Sequence, residues 1–337
     1  MTTEWRGWTG LVAFVVVLAV AAPSYLGFRW YQRQLALPCV VDAVIDVAPG
    51  STTDAVIDQL FAAGVVPRPW VAGVEARRRA VDRRLQAGRY RIPPGTSTSE
   101  VLDMLVRGEV ALAERTVPEG LTLHQVARRL FPRDAEERIR FEELAAGGEG
   151  GAHLVPEGLS LEGYLFPDTY VLREPVSAVA AISAMLSNFE SKVRPLRTLV
   201  DASAFDLHEV VVLASIIEAE ARVAEERAHI SSVYHNRLKQ NMKLEADPTV
   251  AYSVDKIGKR LLFVDLEVDS PYNTYRNKGL PPGPINSPGL ASIEAALAPS
   301  ADEDLYFVHQ GDGHHVFSRT YDEHRSAVRE ARGRRNR

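Results

Sequence analysis

The first long pattern in the chain is an apolar stretch over residues 9–28 that contains no charged residue. About twenty apolar residues are enough for a helix to cross the hydrocarbon core of a bilayer. Aromatic residues cluster at both ends of the stretch, as they do where lipid headgroups meet water. The pattern predicts a transmembrane helix over 9–28, preceded by a short tail at 1–8, and charge alone does not fix its orientation. A cleaved signal peptide is the alternative, although the small residues that would mark its cleavage site lie inside the run.

Four short strand-like segments follow, and each runs into a turn that contains Pro and Gly and then a hydroxyl residue. Ser and Thr are preferred at helix N-caps, and apolar residues recur at helical spacing after the first three turns. The pattern therefore predicts helices after these turns. Because the spacing between the copies is irregular, a solenoid is excluded. The four turns lie at 47–52, 92–97, 117–122 and 155–160.

The segment 42–92 has strand, helix, helix and strand patterns in that order. The helices are predicted to begin near Thr52 and Trp70, and the last strand at Gly88. This order resembles a LysM module, a small sugar-binding fold of cell-wall proteins. The alternative is an α+β stalk that holds the next domain away from the membrane. We expect a LysM-like βααβ subdomain and its connector to occupy residues 40–115.

A charged residue in an unusual place follows the apolar run 210–217, which ends at Glu218. On a helix, the residues that share its face are Ser215, Ala214 and Val211, so that face is small and apolar. Such surroundings raise the pKa of a carboxyl by desolvation. A protonated carboxyl can donate its proton to a leaving group, as in the cleavage of glycosidic bonds. The alternative is a buried structural Glu bonded to an Arg or to backbone.

Composition and charge narrow the functional classes. The 337 residues suffice for two domains with buried cores, and the net charge of −5 gives no case for a nucleic-acid partner. The single cysteine, Cys39, excludes an intrachain disulfide framework. The nine histidines, His314 and His315 among them, show no metal-ligand spacing, so neither a metal nor another cofactor is expected. The basic tail 326–337 is expected to be disordered.

Several strings in the second half occur in an order that packing needs alone do not explain. They are Leu-Glu-Gly-Tyr-Leu-Phe-Pro-Asp-Thr-Tyr at 161–170, Ala-Ser-Ile-Ile-Glu-Ala-Glu at 214–220, Asn-Arg-Leu at 236–238, Ala-Asp-Pro-Thr-Val-Ala-Tyr at 246–252, Tyr-Asn-Thr-Tyr at 272–275, Gly-Leu-Pro-Pro-Gly-Pro-Ile at 279–285 and Leu-Tyr-Phe-Val at 305–308. Together they closely resemble the endolytic murein transglycosylases, the YceG-like or MltG family. The resemblance covers about residues 40–325.

The resemblance implies a single-pass protein of the bacterial cytoplasmic membrane, with its N-terminus inside and a catalytic domain outside over 116–325. It implies a lyase that cuts the MurNAc-GlcNAc β-1,4 bond within peptidoglycan glycan strands and forms 1,6-anhydroMurNAc. The catalytic glutamate of the family falls on Glu218. The implied partners are peptidoglycan strands and peptidoglycan synthases (penicillin-binding proteins), and the implied role is to terminate nascent strands.

This chemistry needs one carboxyl group. Glu218 would donate its proton to the linking oxygen and then accept the proton of the C6 hydroxyl as the anhydro ring closes. Hydrolases need a second carboxylate across the bond. Glu220 would point to nearly the opposite side of the helix, whereas Asp247 and Glu162 stay open as carboxylates that could approach. The assignment would fail if Glu218 were far from any cleft or locked against a buried arginine.

The matched strings also supply candidate substrate-binding residues. Tyr272 and Asn273 resemble the Tyr-Asn pair of other lytic transglycosylases, and Tyr275 is an alternative for the phenol. An Asn that caps a turn is the other interpretation of Asn273. The string that begins with Asp247 and contains Thr249 has the pattern of a helix start.

Four further residues complete the candidate set. The helix that begins at Asp247 places Tyr252, which is expected to line the cleft. Glu162 and Tyr164 are expected near the cleft. Arg237 either anchors a carboxylate structurally or binds the peptide stem.

The predicted fold class is α+β, with one membrane helix, the LysM-like unit and a mixed catalytic domain that ends in strands near 305–308 and 315–318. The nearest enzymatic alternative is a hydrolase such as a muramidase. The alternative from another class is a membrane-tethered peptidoglycan-binding scaffold without activity.

Overall fold

The computed structural model describes residues 4–151 and 154–335. Helices dominate, and the strands of these residues form three separate two-stranded sheets, so the fold is α+β as predicted. Two compact units divide the chain. The first comprises Met1–Ala113 and Arg173–Pro175, and the second comprises Glu114–Leu172 and Val176–Arg337.

The chain begins with a long helix, α1, which covers Glu4–Leu35 and therefore includes the predicted span 9–28. Within that span, the side chains of 9–13, 15 and 16 lie outside the described residues. Over the part of the chain that is described, no helix is both long enough and apolar enough to cross a membrane.

The first unit continues after α1 with a small sheet and three helices. These elements are β1 (Ala43–Val47), α2 (Thr53–Ala62), α3 (Pro69–Arg78), β2 (Gly88–Ile92) and α4 (Thr98–Arg107). The strands pair antiparallel, with Ala43 opposite Ile92 and Val47 opposite Gly88. The predicted order of strand, helix, helix and strand over 42–92 is confirmed.

Local sequence explains these elements. Residues of β1 are buried alternately, as expected for a strand with one face on a core. The Thr52 side chain accepts the N–H of Ala55 at the start of α2, and Ser97 forms a capping box with Glu100 at the start of α4. Large side chains of the sheet and of the helices, among them Leu60, are fully buried. The burial of each contributes about 1.5–3 kcal/mol of hydrophobic stabilisation.

The second unit contains two small sheets among its helices. Its strands are β3 (Leu112–Thr116), which begins in the first unit and pairs with β4 (Thr169–Arg173), and the antiparallel pair β5 (Tyr306–His309) and β6 (His315–Ser318). Its helices are α5 (Leu123–Leu130), α6 (Ala135–Ala146), α7 (Ala178–Val193), α8 (Arg197–Ala202), α9 (Leu207–Glu220), α10 (Arg227–Lys239), α11 (Asp247–Ser253), α12 (Leu290–Leu297) and α13 (Tyr321–Arg335). The predicted strands near 305–308 and 315–318 are confirmed by β5 and β6.

Helix α9 is the central helix of this unit. Its residues 210–217 are all buried, because α10, α11 and α12 pack around it. A capping box between Asp206 and Glu209 fixes where it begins. A helix that is apolar on every side is a buried helix, so the uninterrupted apolar run determines its central place. Glu218 then lies where α9 leaves the core.

The C-terminal tail differs from its prediction. The structure places 321–335 in α13, so the expected disorder of 326–337 is wrong for 326–335, and 336–337 lie outside the described residues. Ala327 and Ala331 are one helical turn apart and buried, while the basic residues occupy the remaining faces. The sequence prediction considered the charges of the tail and overlooked this narrow apolar stripe. Helix α13 packs on the β5–β6 hairpin.

Candidate active site

The Glu218 carboxylate lies at the last turn of α9, and its side chain is 9% exposed. Three donors point at it. The Ser292 hydroxyl donates to Oε2 at 2.7 Å and the Gly289 N–H donates to the same oxygen at 3.1 Å. A guanidinium nitrogen of Arg227 is 3.4 Å from Oε1. The prediction of apolar surroundings is therefore wrong. The polar contacts come from residues of other elements, and the spacing of residues along α9 gives no information about those.

Two of these donors belong to the start of α12. Gly289 is its N-cap and Ser292 lies in its first turn, where the helix dipole favours negative charge. The Ser292 hydroxyl also accepts a hydrogen bond from Nε of Arg227 at 3.1 Å. Arg227 thus contacts one carboxylate oxygen at the long end of hydrogen-bond distance and is itself 17% exposed. This arrangement can hold negative charge on Glu218 without closing both of its oxygens in an ion pair.

The segment that precedes α12 holds this site together by running along α9. The Ile285 N–H donates to the Ser215 hydroxyl at 3.1 Å, and the Asn286 amide donates to the Ser215 carbonyl at 2.8 Å. Ser215, one turn before Glu218, therefore serves as an attachment point on the α9 face that the sequence showed as small. The start of α12 is brought to Glu218 in this way.

A turn from the beginning of the second unit also reaches Glu218. The Gly120 N–H donates to the Ser287 carbonyl at 2.8 Å, and the Ser287 N–H donates to the Leu121 carbonyl at 2.9 Å. Gly120 has φ +75°, and a Cβ built on it would lie 3.7 Å from Cγ of Glu218. The turn therefore packs directly against the stem of that side chain.

The same turn brings a second carboxylate, Glu119, which sequence reasoning missed. A Cβ built on Gly289 would lie 2.0 Å and 2.6 Å from the two carboxylate oxygens of Glu119. Partial burial of the carboxyl and the nearby charge of Glu218 raise the pKa of Glu119, and the Arg227 guanidinium opposes that shift. The available signal was the Glu in the Val-Pro-Glu-Gly turn, which the sequence pattern marked for its turn shape and not for its carboxyl.

Glu162, one of the predicted residues, forms a separate buried cluster. Its carboxylate accepts the N–H of Leu123, the first residue of α5, at 3.0 Å and the hydroxyl of Tyr252 at 3.3 Å. Burial raises the pKa of Glu162 to about 7, although both hydrogen bonds act against the shift. The rings of Tyr252 and Tyr272 are 5.1 Å apart, and Gly283 lies close to the Tyr272 hydroxyl.

The segment 283–289 connects this cluster with Glu218. Gly283 contacts Tyr272 at one end and Gly289 binds Glu218 at the other. Six residues of extended chain span at most about 20 Å. The contact of Gly283 with Tyr272 and the contact of Gly289 with Glu218 are therefore separated by at most about that distance along the chain.

Three predicted residues are buried in structural roles. The Tyr164 hydroxyl is paired with Nδ1 of His208 at 2.7 Å, and the residue is fully buried. The Asn273 amide donates to two backbone carbonyls of 266–268 and accepts the N–H of Tyr275, which is the turn-capping alternative. The buried Thr249 hydroxyl is bonded to the Ala246 carbonyl at 2.8 Å. The polar atoms of all three side chains are bonded within the protein.

The structure brings Tyr275 and Asp247 together, since the Tyr275 hydroxyl donates to the Asp247 carboxylate at 2.7 Å. The nearby Glu220 accepts the Tyr234 hydroxyl at 3.3 Å. Burial and the charge of Asp247 raise the pKa of Glu220 to about 7. These groups form an acidic cluster at the end of α9 that is distinct from the contacts of Glu218.

Arg237 is also largely buried, and it is held by backbone. It donates to the carbonyls of Leu305, Lys243 and Leu244 at 2.7–3.0 Å and lies 3.1 Å from the Glu245 carboxylate. These contacts favour the structural alternative over binding of a peptide stem.

One group among the described residues could hold a metal ion. The ligand atoms of His229, Asp302 and Asp304 all lie within 4.8 Å of one another. Nε2 of His229 is 2.8 Å from Asp304, and Ser300 donates to Asp302, so protein contacts already account for these groups. The paired histidines at 314 and 315 both contact the Glu226 carboxylate. Sequence spacing did not reveal the first group because its ligands come from α10 and a distant loop.

Comparison with known proteins identifies the class to which this architecture belongs. Residues 45–330 match the YceG-like family. A solved YceG-like protein from Listeria monocytogenes superposes with a TM-score of 0.54 at 31% identity, covering 85% of this chain and 98% of that chain. The chain belongs to the YceG-like family.

Two curated relatives carry the same name, endolytic murein transglycosylase. The one from Bacillus subtilis (strain 168) is 35% identical over 261 residues, which cover 72% of this chain and 72% of that protein. The one from Streptococcus pneumoniae serotype 2 (strain D39 / NCTC 7466) is 29% identical over 334 residues, which cover 88% of this chain and 60% of that protein. The chain therefore spans somewhat more than half the length of its pneumococcal relative.

Proposed function

We propose that this protein is an endolytic lytic transglycosylase that cuts the MurNAc-GlcNAc β-1,4 bond within peptidoglycan glycan strands and leaves 1,6-anhydroMurNAc. Membership of the YceG-like family and two relatives named endolytic murein transglycosylase support the reaction class. The observation that carries the proposal is the convergence of three donors on Glu218 in the last turn of the central helix. A carboxyl group in that position can release and recover one proton.

In the proposed reaction, Glu218 acts first as acid and then as base. Its proton goes to the oxygen that links the two sugars, and the electron pair of the C1–O bond goes to that oxygen. Negative charge then develops on Glu218, where the Ser292 hydroxyl, the Gly289 N–H and the Arg227 guanidinium stabilise it. The C6 oxygen bonds to C1, and its proton returns to Glu218. No water is consumed.

The other predicted residues divide into two groups. Tyr272 and Tyr252, at the far end of segment 283–289, are proposed to contact neighbouring sugars, as are the partly accessible Tyr275 and Asp247. The aromatic rings supply flat apolar faces on which a sugar can stack. Glu162, Tyr164, Asn273, Thr249 and Arg237 are assigned structural roles instead, because their polar atoms are buried and bonded within the protein.

The finer cellular features are part of the same proposal. A membrane helix over 9–28 with the N-terminus inside would place the second unit next to its peptidoglycan substrate, and the charge-free stretch with aromatic ends supports it. The βααβ order of the first unit supports a LysM-like, sugar-binding role. The likeness to the family supports termination of nascent strands beside peptidoglycan synthases. Failure to co-purify with any synthase after crosslinking in cells would contradict that partner.

The decisive experiment compares purified full-length wild type with Glu218→Gln on uncrosslinked glycan strands. The amide keeps the shape of the side chain but cannot deliver a proton, so we expect activity to fall at least about a thousandfold. Mass spectrometry should find anhydroMurNAc ends from wild type. The control is Glu225→Gln, which alters an exposed carboxyl nearby and should retain activity.

Two outcomes would contradict the proposal. Activity in Glu218→Gln comparable to wild type would exclude Glu218 as the acid. Products with reducing MurNAc ends would mean that water attacks C1, which is the hydrolase alternative. That alternative has one specific observation in its favour, since Glu119 supplies a second carboxylate near Glu218. Inactive wild type that still binds strands would instead support the scaffold.

A further inference from the structure

We propose that Glu119 is a second catalytic carboxylate, which faces the anomeric carbon of the cleaved sugar and stabilises its developing positive charge while Glu218 moves the proton. This inference rests on the proposed function and deepens it. The reaction passes through an oxocarbenium-like sugar. A fixed negative charge next to that carbon lowers the energy of the transition state more than that of the ground state.

The first argument is the shared contact with Gly289. Its N–H donates to Oε2 of Glu218 at 3.1 Å, and its missing Cβ leaves the space that the Glu119 carboxylate occupies, 2.0 Å from the built position. The nearest oxygens of the two carboxylates are therefore at most about 8 Å apart. Paired carboxyl groups that act on one glycosidic bond are separated by about 5–9.5 Å. This upper limit is compatible with both carboxylates acting on one linkage.

The second argument is that Glu119 has no structural use that would explain its place. Within residues 4–151 and 154–335, no donor forms a hydrogen bond to its carboxylate, and the side chain is exposed. Glu218 and Arg227 are the charges that act on it. Like charges repel, yet the Gly120 turn, tied to Ser287 by two backbone hydrogen bonds, places the backbone of Glu119 where its carboxylate lies near Glu218.

The proton and electron count of the step is unchanged by Glu119. The C1–O bond breaks toward the leaving oxygen, which takes the Glu218 proton. The C6 oxygen forms the new bond to C1 and returns its proton to Glu218. Glu119 neither gains nor loses a proton and forms no covalent bond, so the product remains the anhydro sugar.

The alternative for Glu119 is a purely structural one, in which its charge stabilises the N-terminus of α12. Such an effect stabilises the folded protein and does not act on the transition state. It predicts a lower melting temperature for Glu119→Gln and an unchanged kcat for the molecules that remain folded. The catalytic role predicts the opposite pair of results.

The test is a kinetic comparison of full-length wild type, Glu119→Gln and Glu119→Asp on uncrosslinked glycan strands. We expect Glu119→Gln to lower kcat about a hundredfold with KM nearly unchanged, because the missing charge acts in the transition state. Glu119→Asp keeps the charge and should recover part of kcat. Melting temperatures should match wild type.

Glu157→Gln is a matched control that the chain itself provides. Glu157 occupies the same position of the second Val-Pro-Glu-Gly turn and is exposed, and Gly158 next to it has nothing within 4 Å of a built Cβ. Its amide variant should keep wild-type kcat. A similar loss in both variants would show that the effect belongs to the turn and would overturn the proposal.

Glu218→Gln, measured in parallel, separates the two proposals. Inactive Glu218→Gln together with wild-type kcat in Glu119→Gln would overturn the role of Glu119 and leave the proposed function intact. Active Glu218→Gln would overturn the proposed function itself. Reducing MurNAc ends that disappear in Glu119→Gln would show that Glu119 activates water, which would also overturn the role proposed here.

Discussion

The two Val-Pro-Glu-Gly turns at 117–120 and 155–158 have the same four residues, and their glycines have similar φ, +75° at Gly120 and +83° at Gly158. Their surroundings differ. The first turn is bonded to Ser287 and packs against Glu218. The second turn is exposed at its tip, and a Cβ on Gly158 would meet nothing within 4 Å.

The difference shows which level of structure determines which property. Pro and Gly determine the shape of both turns, since a positive φ favours glycine wherever it occurs. Tertiary pairing with the segment before α12 determines that only the first glutamate lies beside Glu218. The chemistry of the motif therefore depends on the partner segment and not on the four residues themselves.

The two turns are nevertheless linked. The residues that follow the second turn contact the region around the first. Glu162 accepts the N–H of Leu123, which begins the helix that follows the first turn. Gly163, next to it, packs against Pro284 in the segment that runs toward Glu218. The segment that follows the second turn thus stabilises the region of the first turn, whereas the first turn itself lies beside Glu218.

The largest expected effect is on stability, from Gly163→Ala. The residue has φ +84°, and its new Cβ would lie 2.5 Å from Cβ of Pro284 and 3.0 Å from Cγ1 of Val211. Backbone strain and overpacking together should lower the free energy of unfolding by about 4 kcal/mol. Urea denaturation followed by circular dichroism measures the change.

Gly158→Ala is the matched variant for that experiment. It has the same backbone strain with open space around the Cβ, so the loss should be about 1 kcal/mol. Equal losses at Gly158 and Gly163 would mean that the second region is no more tightly packed than its exposed turn, and the proposed support of the first region would be wrong.

The next effect is a pH dependence of stability that originates at Glu162. Its pKa is raised from an ordinary 4.5 to about 7 by burial, so its contribution to stability is complete below pH 4.5 and is lost as pH rises through 7. The loss is about 3 kcal/mol. Glu162→Gln should remove this decline between pH 4.5 and 7, measured as the free energy of unfolding at each pH.

A second decline should remain in that variant, because the pKa of Glu220 is also raised to about 7. Glu157→Gln, which alters an exposed carboxyl after the second turn, should leave the wild-type pH profile unchanged. An unaltered profile in Glu162→Gln would show that this carboxyl is not the buried, protonated group that links the two regions.

Much of the fold could be predicted from the sequence, because local signals determine it. The apolar run 210–217 indicated a buried helix, and turns followed by hydroxyl residues indicated where α2, α4 and α5 begin. The tail was wrongly predicted to be disordered. Two alanines among many charged residues are too weak a pattern to indicate a packed helix.

The site was less predictable, since its groups come from distant parts of the chain. The spacing of residues along the helix identified Glu218 as a candidate. Because it considers only neighbours on α9, it predicted apolar surroundings. The donors Gly289 and Ser292 are 71 and 74 residues away in sequence, and Glu119 lies on an earlier turn. Glu162 and Asp247 were the two candidates for a second carboxylate beside Glu218. They are bonded elsewhere, to Leu123 and Tyr275 respectively.

The smallest predicted effect tests whether the first turn acts through the space at Gly289. Gly289 has φ −75°, so alanine fits its backbone, but the new methyl would occupy the place of the Glu119 carboxylate. That carboxylate is exposed and can rotate away, so stability should fall by no more than about 1 kcal/mol, the cost of alanine at an N-cap. The activity on glycan strands should fall about tenfold, because displacement weakens the proposed charge stabilisation without removing it.

A double-mutant cycle decides the cause of that loss. If Gly289→Ala acts by displacing Glu119, it should have almost no further effect on kcat in the Glu119→Gln background, since the displaced charge is already absent. Full additivity of the two losses would show that the methyl acts elsewhere, for instance on the hydrogen bond from the Gly289 N–H to Glu218. The first turn would then differ from the second in location alone and not in chemistry.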